Sequence, residues 1–226
     1  MPSPHRRTVR LAAVTACALS LPSAALAASA SAATLTANKA CYVNTDPSQG
    51  AQMILSGTGY TPGDSIEVTG TGVFATATVA ANGDFIASAD APILSTVDPG
   101  TLATTLTATD ETTGAPGATA TVMSANLAVS TSPGSVRNVR KDKVTFSFSG
   151  FTPGKRIYGY YMRKKIVAKD TFSKAKGPCG TLKEKALLYP GGRPHNDEYN
   201  VTFESASKYS KKAVPRVTGK LDILHF

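Results

Sequence analysis

Tryptophan is absent from this 226-residue sequence, which holds only three cysteines and three histidines. The shortage bears first on catalysis. His5 lies in the N-terminal segment, so only His195 and His225 remain as a base or a metal ligand. There is no G-x-S-x-G, no H-E-x-x-H and no C-x-x-C. No phosphate-cradling glycine loop opens a helical pattern. Paired carboxylates occur, but none lies in an apolar pattern that would raise its pKa. His195 with Asp197 and Glu198, in a Gly/Pro-rich stretch, reads as a solvated loop rather than a cation site. The sequence therefore points away from an enzyme and implies no cofactor and no metal. No apolar run after the first 33 residues approaches the roughly 20 residues of a membrane span.

Residues 1–33 have the marks of a secretory signal. Arg6, Arg7 and Arg10 form a basic start, Leu11 to Leu21 is apolar and alanine-rich, and Ala25-Leu26-Ala27 supplies a small-residue cleavage site. Cleavage between Ala28 and Thr34 is expected, with release outside the cell or non-covalent retention at its surface. Val14-Thr15-Ala16-Cys17 resembles a lipidation box, but too short an apolar stretch precedes the cysteine. Export leaves Cys41 and Cys179, far apart in sequence and in different expected domains. Either the two domains fold back and the thiols meet, or the thiols stay free or pair between molecules. The expectation is that they form no intramolecular bridge.

Helical periodicity is missing too. In its place is a repeat: Gly59-Tyr60-Thr61-Pro62-Gly63-Asp64-Ser65-Ile66 recurs 91 residues later as Gly150-Phe151-Thr152-Pro153-Gly154-Lys155-Arg156-Ile157. Proline sets φ at one corner of a turn and glycine accepts positive φ at the next, so each copy ends one strand and starts another. Val144, Phe146 and Phe148 alternate with polar residues, as do Tyr199, Val201 and Phe203, giving two half-buried strands at the centre of a sandwich. Tyr199 holds the tyrosine-corner place and Val201 that of the second cysteine, so packing must substitute for an inter-sheet disulfide. Shorter strands are predicted at 53–55, 66–68, 73–79, 85–86, 102–108 and 118–123, with turns at Asn82-Gly83, Pro99-Gly100 and Pro116-Gly117. The fold class is all-β: two tandem immunoglobulin-like β-sandwiches, residues 34–125 and 126–226, after the signal.

The alanine-rich signal, the G-[YF]-T-P-G step, the Ala81-Asn82-Gly83-Asp84-Phe85 turn and the Thr105-Leu106-Thr107-Ala108-Thr109-Asp110 strand resemble the secreted immunoglobulin-like domain proteins of actinobacteria. The resemblance covers most of residues 34–226. It implies the fold and leaves function open among adhesion, wall association and ligand binding.

Charge divides the chain. Between residues 34 and 125, Lys39 stands alone against eight acids, whereas residues 126–226 hold 20 basic and 7 acidic residues. The break falls near Ser130-Thr131-Ser132-Pro133-Gly134, the expected linker. Arg137, Arg140, Lys141, Arg163, Lys164, Lys165, Lys169, Lys174 and Lys176 are the candidate polyanion-binding residues. The partners this implies are an anionic cell-wall polymer or polysaccharide, or another protein; intracellular nucleic acid is not expected. Two plainer readings stand beside it: lysines guarding sheet edges, and the acidic half docking on the basic one. Tyr158, Tyr160 and Tyr161 beside Arg163-Lys164-Lys165 could stack on sugars or bases, although one strand face must be core. A carrier of a small apolar ligand, similar to the actinobacterial antitumour chromoproteins, is the alternative function; it requires a deep apolar cleft.

Overall fold

The computed structural model describes residues 32–46, 48–139, 141–192, 194 and 197–223. The expected signal, apart from its last two residues, lies outside them, as do Arg140, His195 and His225.

Among the described residues the first half contains eight strands. They are β1 (Thr34–Ala37), β2 (Tyr42–Asn44), β3 (Gln52–Thr58), β4 (Ser65–Gly70), β5 (Val73–Thr78), β6 (Phe85–Asp90), β7 (Thr101–Asp110) and β8 (Pro116–Asn126). The second half has β9 (Ala128–Ser132), β10 (Lys143–Ser149), β11 (Arg156–Met162), β12 (Ile166–Lys174), β13 (Leu182–Leu187), β14 (Asp197–Glu204) and β15 (Arg216–Ile223). No helix occurs among the described residues.

Four sheets result, with orders β1-β3-β6, β2-β8-β7-β4-β5, β9-β10-β13 and β12-β11-β14-β15. The first pair encloses one apolar core and the second pair another. The two halves follow one plan, since β9-β10-β13 repeats β1-β3-β6 and β12-β11-β14-β15 repeats β5-β4-β7-β8. One strand has no counterpart: β2 runs parallel to β8, beside which it adds a fifth strand.

The sequence repeat is the corner between β3 and β4 and between β10 and β11. Most of its hydrogen bonds recur. The Asp64 N–H donates to the Thr61 carbonyl, and Lys155 to Thr152, both at 3.2 Å. Tyr60 N–H donates to Gly83, as Phe151 N–H does to Gly180. Gly63 and Gly154, at φ +88° and +74°, hold the positive-φ corner that the Pro-Gly step requires.

Alternation builds the second core as expected. Val144, Phe146 and Phe148 on β10 face Tyr199, Val201 and Phe203 on β14, all buried. In place of an inter-sheet cystine, Phe146 and Phe148 pack across the sheets on Phe172 and Phe203 at centroid distances of 4.9 to 5.9 Å, mostly edge to face. The first core is mainly aliphatic, built on Met53, Leu55, Ile66, Val68 and Leu106, with Tyr42 and Phe85 as its buried aromatics.

Two expectations change at the seam between the halves. The supposed linker is mostly strand: Ser130 to Ser132 belong to β9 and pair with β10, so the chain leaves β8 and enters β9 across Leu127 alone. Small polar residues look like linker, but an edge strand takes its order from the neighbour it pairs with. The second correction concerns the cysteines. Cys41 and Cys179 are joined by an intramolecular disulfide, with Cα atoms 5.3 Å apart. Their place in different halves does not separate them, because both halves bring them to the seam. Polar contacts complete it. Leu127 N–H donates to the Asn44 carbonyl at 2.9 Å, and the Ser149 hydroxyl donates to the Asn126 carbonyl at 2.6 Å while accepting from Gly100 N–H at 3.2 Å. Gly150 makes this approach possible, for a Cβ there would meet Val43 and Leu127 at 2.8 Å.

Candidate polyanion-binding surface

Strand direction decides where the basic residues gather. Each half has a corner end, which carries the repeated turn, and a far end. In the second half the corner end lies against the far end of the first, at the seam. The described connections at its own far end are 133–139 and 141–142 between β9 and β10, 163–165 between β11 and β12, and 188–192 and 194 between β13 and β14.

This arrangement splits the nine sequence candidates. Arg163, Lys164 and Lys165 line one hollow at the far end, Arg137 and Lys141 lie in the β9–β10 connection at the same end, and all five are exposed. Arg140 lies outside the described residues. Lys174 and Lys176 stand at the opposite end, by the seam, and Lys169 lies midway along β12. The eight described candidates are therefore divided between the two ends, with Lys169 between them.

They also differ in how free they are. The Arg163 guanidinium is paired with Asp197, its Nε donating at 2.6 Å. Nearby, Lys220 pairs with Glu198 at 3.0 Å. Lys164 and Lys165, at the hairpin tip, have no carboxylate in ion-pair reach among the described residues. They border an open hollow of about 660 Å³ shared with Val167, Glu198 and Asn200. Lys169 is committed: its Nζ donates to the Ser207 carbonyl at 2.6 Å and sits 4.5 Å from the centre of the Tyr158 ring.

The tyrosine cluster proves mostly structural. Tyr161 points into the core, where burial pushes its hydroxyl pKa well above the usual range. Tyr160 lies on the other sheet face yet is 2% exposed. The loop 205–215 covers it: Tyr160 donates to the Ala206 carbonyl at 2.8 Å, and Tyr209 packs on it at 5.6 Å. The same loop covers Glu204, which accepts from Ser210 N–H at 3.0 Å. Tyr158 alone of the three keeps partial access.

Sequence reasoning missed Lys183, which joins Lys176 at a hollow of about 460 Å³ across the seam, together with Gly100 and Ser147. Nothing local marks it; two distant segments make the hollow. A hollow of about 200 Å³ opens between the second half's sheets, lined by Val129, Phe146, Val201, Phe203 and Leu221 but also by Thr131 and Lys220. That is below the roughly 300 Å³ of ordinary small-molecule sites, so it gives the carrier reading little room. Among the described residues no three His, Cys, Asp or Glu side chains form a metal-holding group, and no helix is long and apolar enough to cross a membrane.

No family model matches the chain, and no curated protein matches it. Among solved structures it is similar to a tetra-tandem repeat from the extending region of a large adhesion protein, at 18% identity and TM-score 0.29. It is also similar to a Ca²⁺-stabilised adhesin that helps an Antarctic bacterium bind ice, at 14% identity and TM-score 0.27. These alignments cover 84% and 85% of this chain and 50% and 49% of the two structures, so the chain spans about half the length of each. At such scores the likeness assigns neither a ligand nor a role.

Proposed function

We propose that this chain is a non-catalytic binding protein of the adhesion type, held outside the cell to an anionic envelope polymer or matrix polysaccharide by the far end of its basic half. The observation that carries the reading is the exposed Lys164-Lys165 hairpin with Arg137 and Lys141 at the same end, on a half whose charges are predominantly basic. Cations without carboxylate partners have no ion pair to break on meeting a polyanion, and binding releases the polyanion's counterions. Sugar stacking contributes little to the reading, since Tyr160 and Tyr161 are buried.

The test is retention of the whole chain on immobilised teichoic acid, with neutral dextran as the control. Retention on teichoic acid alone, falling steeply from about 50 to 500 mM salt, is expected. Replacing Arg137, Lys141, Lys164 and Lys165 by serine should abolish it while leaving the circular dichroism spectrum unchanged. Retention that ignores salt, or survives the fourfold change, would sink the reading.

A further inference from the structure

The seam shows how one half of this molecule receives another: the far end of an acidic half sits on the corner end of a basic one. Among the described residues, two ends of the same kinds meet no other half. The first half presents its corner end, and the second half its far end.

Their charges are opposite. At the free corner end, Asp64 belongs to the repeated turn, Asp84 follows the Asn82-Gly83 turn, and Asp110 and Glu111 open the β7–β8 turn. Backbone hydrogen bonds join these segments: Val79 N–H donates to the Asp64 carbonyl, Tyr60 to Gly83, and Glu111 to Ser65. The only basic residue of the first half, Lys39, lies between β1 and β2, toward the seam. The free far end carries the unpaired Lys164 and Lys165 with Arg137 and Lys141. Gly59, at φ +81°, occupies the place in the free corner that Gly150 holds in the seam.

We infer that these two ends mate between copies, so that the basic far end of one chain docks on the acidic corner end of the next. The partner is a second copy of this chain. The contact is heterologous, because the two patches differ and lie at opposite ends of the molecule. Such a contact satisfies one end of each copy and exposes the other, so it propagates into a head-to-tail strand rather than closing as a dimer. It acts end to end, as the seam does, but without Leu127 or the disulfide, and therefore depends on charge and salt. It shares the Lys164-Lys165 hairpin with the polyanion reading and goes beyond it, since it needs no polyanion.

Sedimentation velocity of residues 34–226, the chain without its expected signal, with no polymer present, tests this. In about 20 mM salt the mean sedimentation coefficient should rise between about 5 and 200 µM protein, and it should return to the monomer value in about 500 mM salt. The Lys164→Ser/Lys165→Ser pair and the Asp64→Asn/Glu111→Gln pair should each weaken association by about tenfold or more. An equimolar mixture of the two variants should stop at a heterodimer, because each keeps one intact end. A monomer at about 200 µM in low salt, association that neither pair weakens, or a mixture that does not pair would overturn the inference. The Asp64→Asn/Glu111→Gln variant separates the two readings, since its basic end is untouched. If it fails to bind teichoic acid while the parent chain still associates, only the polyanion reading falls. If it binds teichoic acid while the parent chain stays monomeric, only the present inference falls.

Discussion

Cys41, just before β2, is bonded to Cys179, in the turn before β13, and the bond closes a loop of 138 residues across the seam. Cys179 stands one residue before Gly180, as Asn82 stands before Gly83 in the matching turn of the first half. One copy of the turn thus carries a hairpin signal where the other carries a crosslink.

Replacing Cys41 and Cys179 together by serine should lower stability by about 2–5 kcal/mol, because the unfolded chain regains the freedom of a long loop. Each half keeps its own core, so both should still fold. Calorimetry is expected to show the halves melting closer together with the bond than without it. An unchanged midpoint in the double variant would show that the seam holds without the bond.

Glycine is required unequally in the repeated turns. Gly180, at φ +57°, packs so closely beneath Phe151 that a Cβ would overlap the Phe151 carbonyl oxygen. Gly63, at φ +88°, has open space around its missing Cβ. Gly63→Ala should cost about 1–2 kcal/mol, the penalty of left-handed backbone alone. Gly180→Ala should cost more than about 3 kcal/mol, as an overlap with backbone cannot relax cheaply. Urea denaturation of the two variants checks the order.

Tyr160→Phe removes the hydrogen bond to Ala206 that pins the 205–215 loop. A loss of about 1 kcal/mol is expected, with faster hydrogen exchange across that loop. Exchange confined to the sheet, or unchanged, would contradict the covering role of the loop.

Burial raises the Asp170 pKa above the usual carboxylate value; the Thr171 N–H opposes the shift and nearby Glu184 reinforces it. Folding therefore favours the protonated form. The stability this contributes is fully present below the ordinary aspartate pKa and is lost as pH rises through the raised one. Asp170→Asn should be more stable than the parent at neutral pH, with the difference shrinking toward about pH 3.5. Denaturation midpoints of both proteins from pH 3 to 7 measure it.

Much of the fold can be read locally. The alternation of Val144, Phe146 and Phe148, and the Thr-Pro-Gly corners, state strand and turn outright because burial and φ act residue by residue. The strands β1, β2, β9, β12, β13 and β15 escape such reading; among them Thr34–Ala37 and Ala128–Ser132 are short edge segments, ordered by their neighbours. The disulfide was illegible for a related reason, since it depends on how the two halves meet. At the candidate surface, residue type marked the lysines and strand order sorted them into two ends. Tyr160 looked available because Arg163-Lys164-Lys165 follows it closely; the loop that hides it begins 45 residues later.

The bridge also alters how this molecule would bear tension. Thr34 and Ile223 lie at opposite ends of the two-half stack. A pull between them enters through β1, crosses from Cys41 to Cys179, and leaves through the remainder of the second half. Residues 42 to 178 form a closed detour that carries no load along its length. Even with every strand unravelled, the bridged chain would reach roughly 450–500 Å less than the reduced one, at about 3.3–3.6 Å per residue. The mainly aliphatic core of the first half is thereby spared most of the strain, and stretching falls on β1 and on β13 to β15.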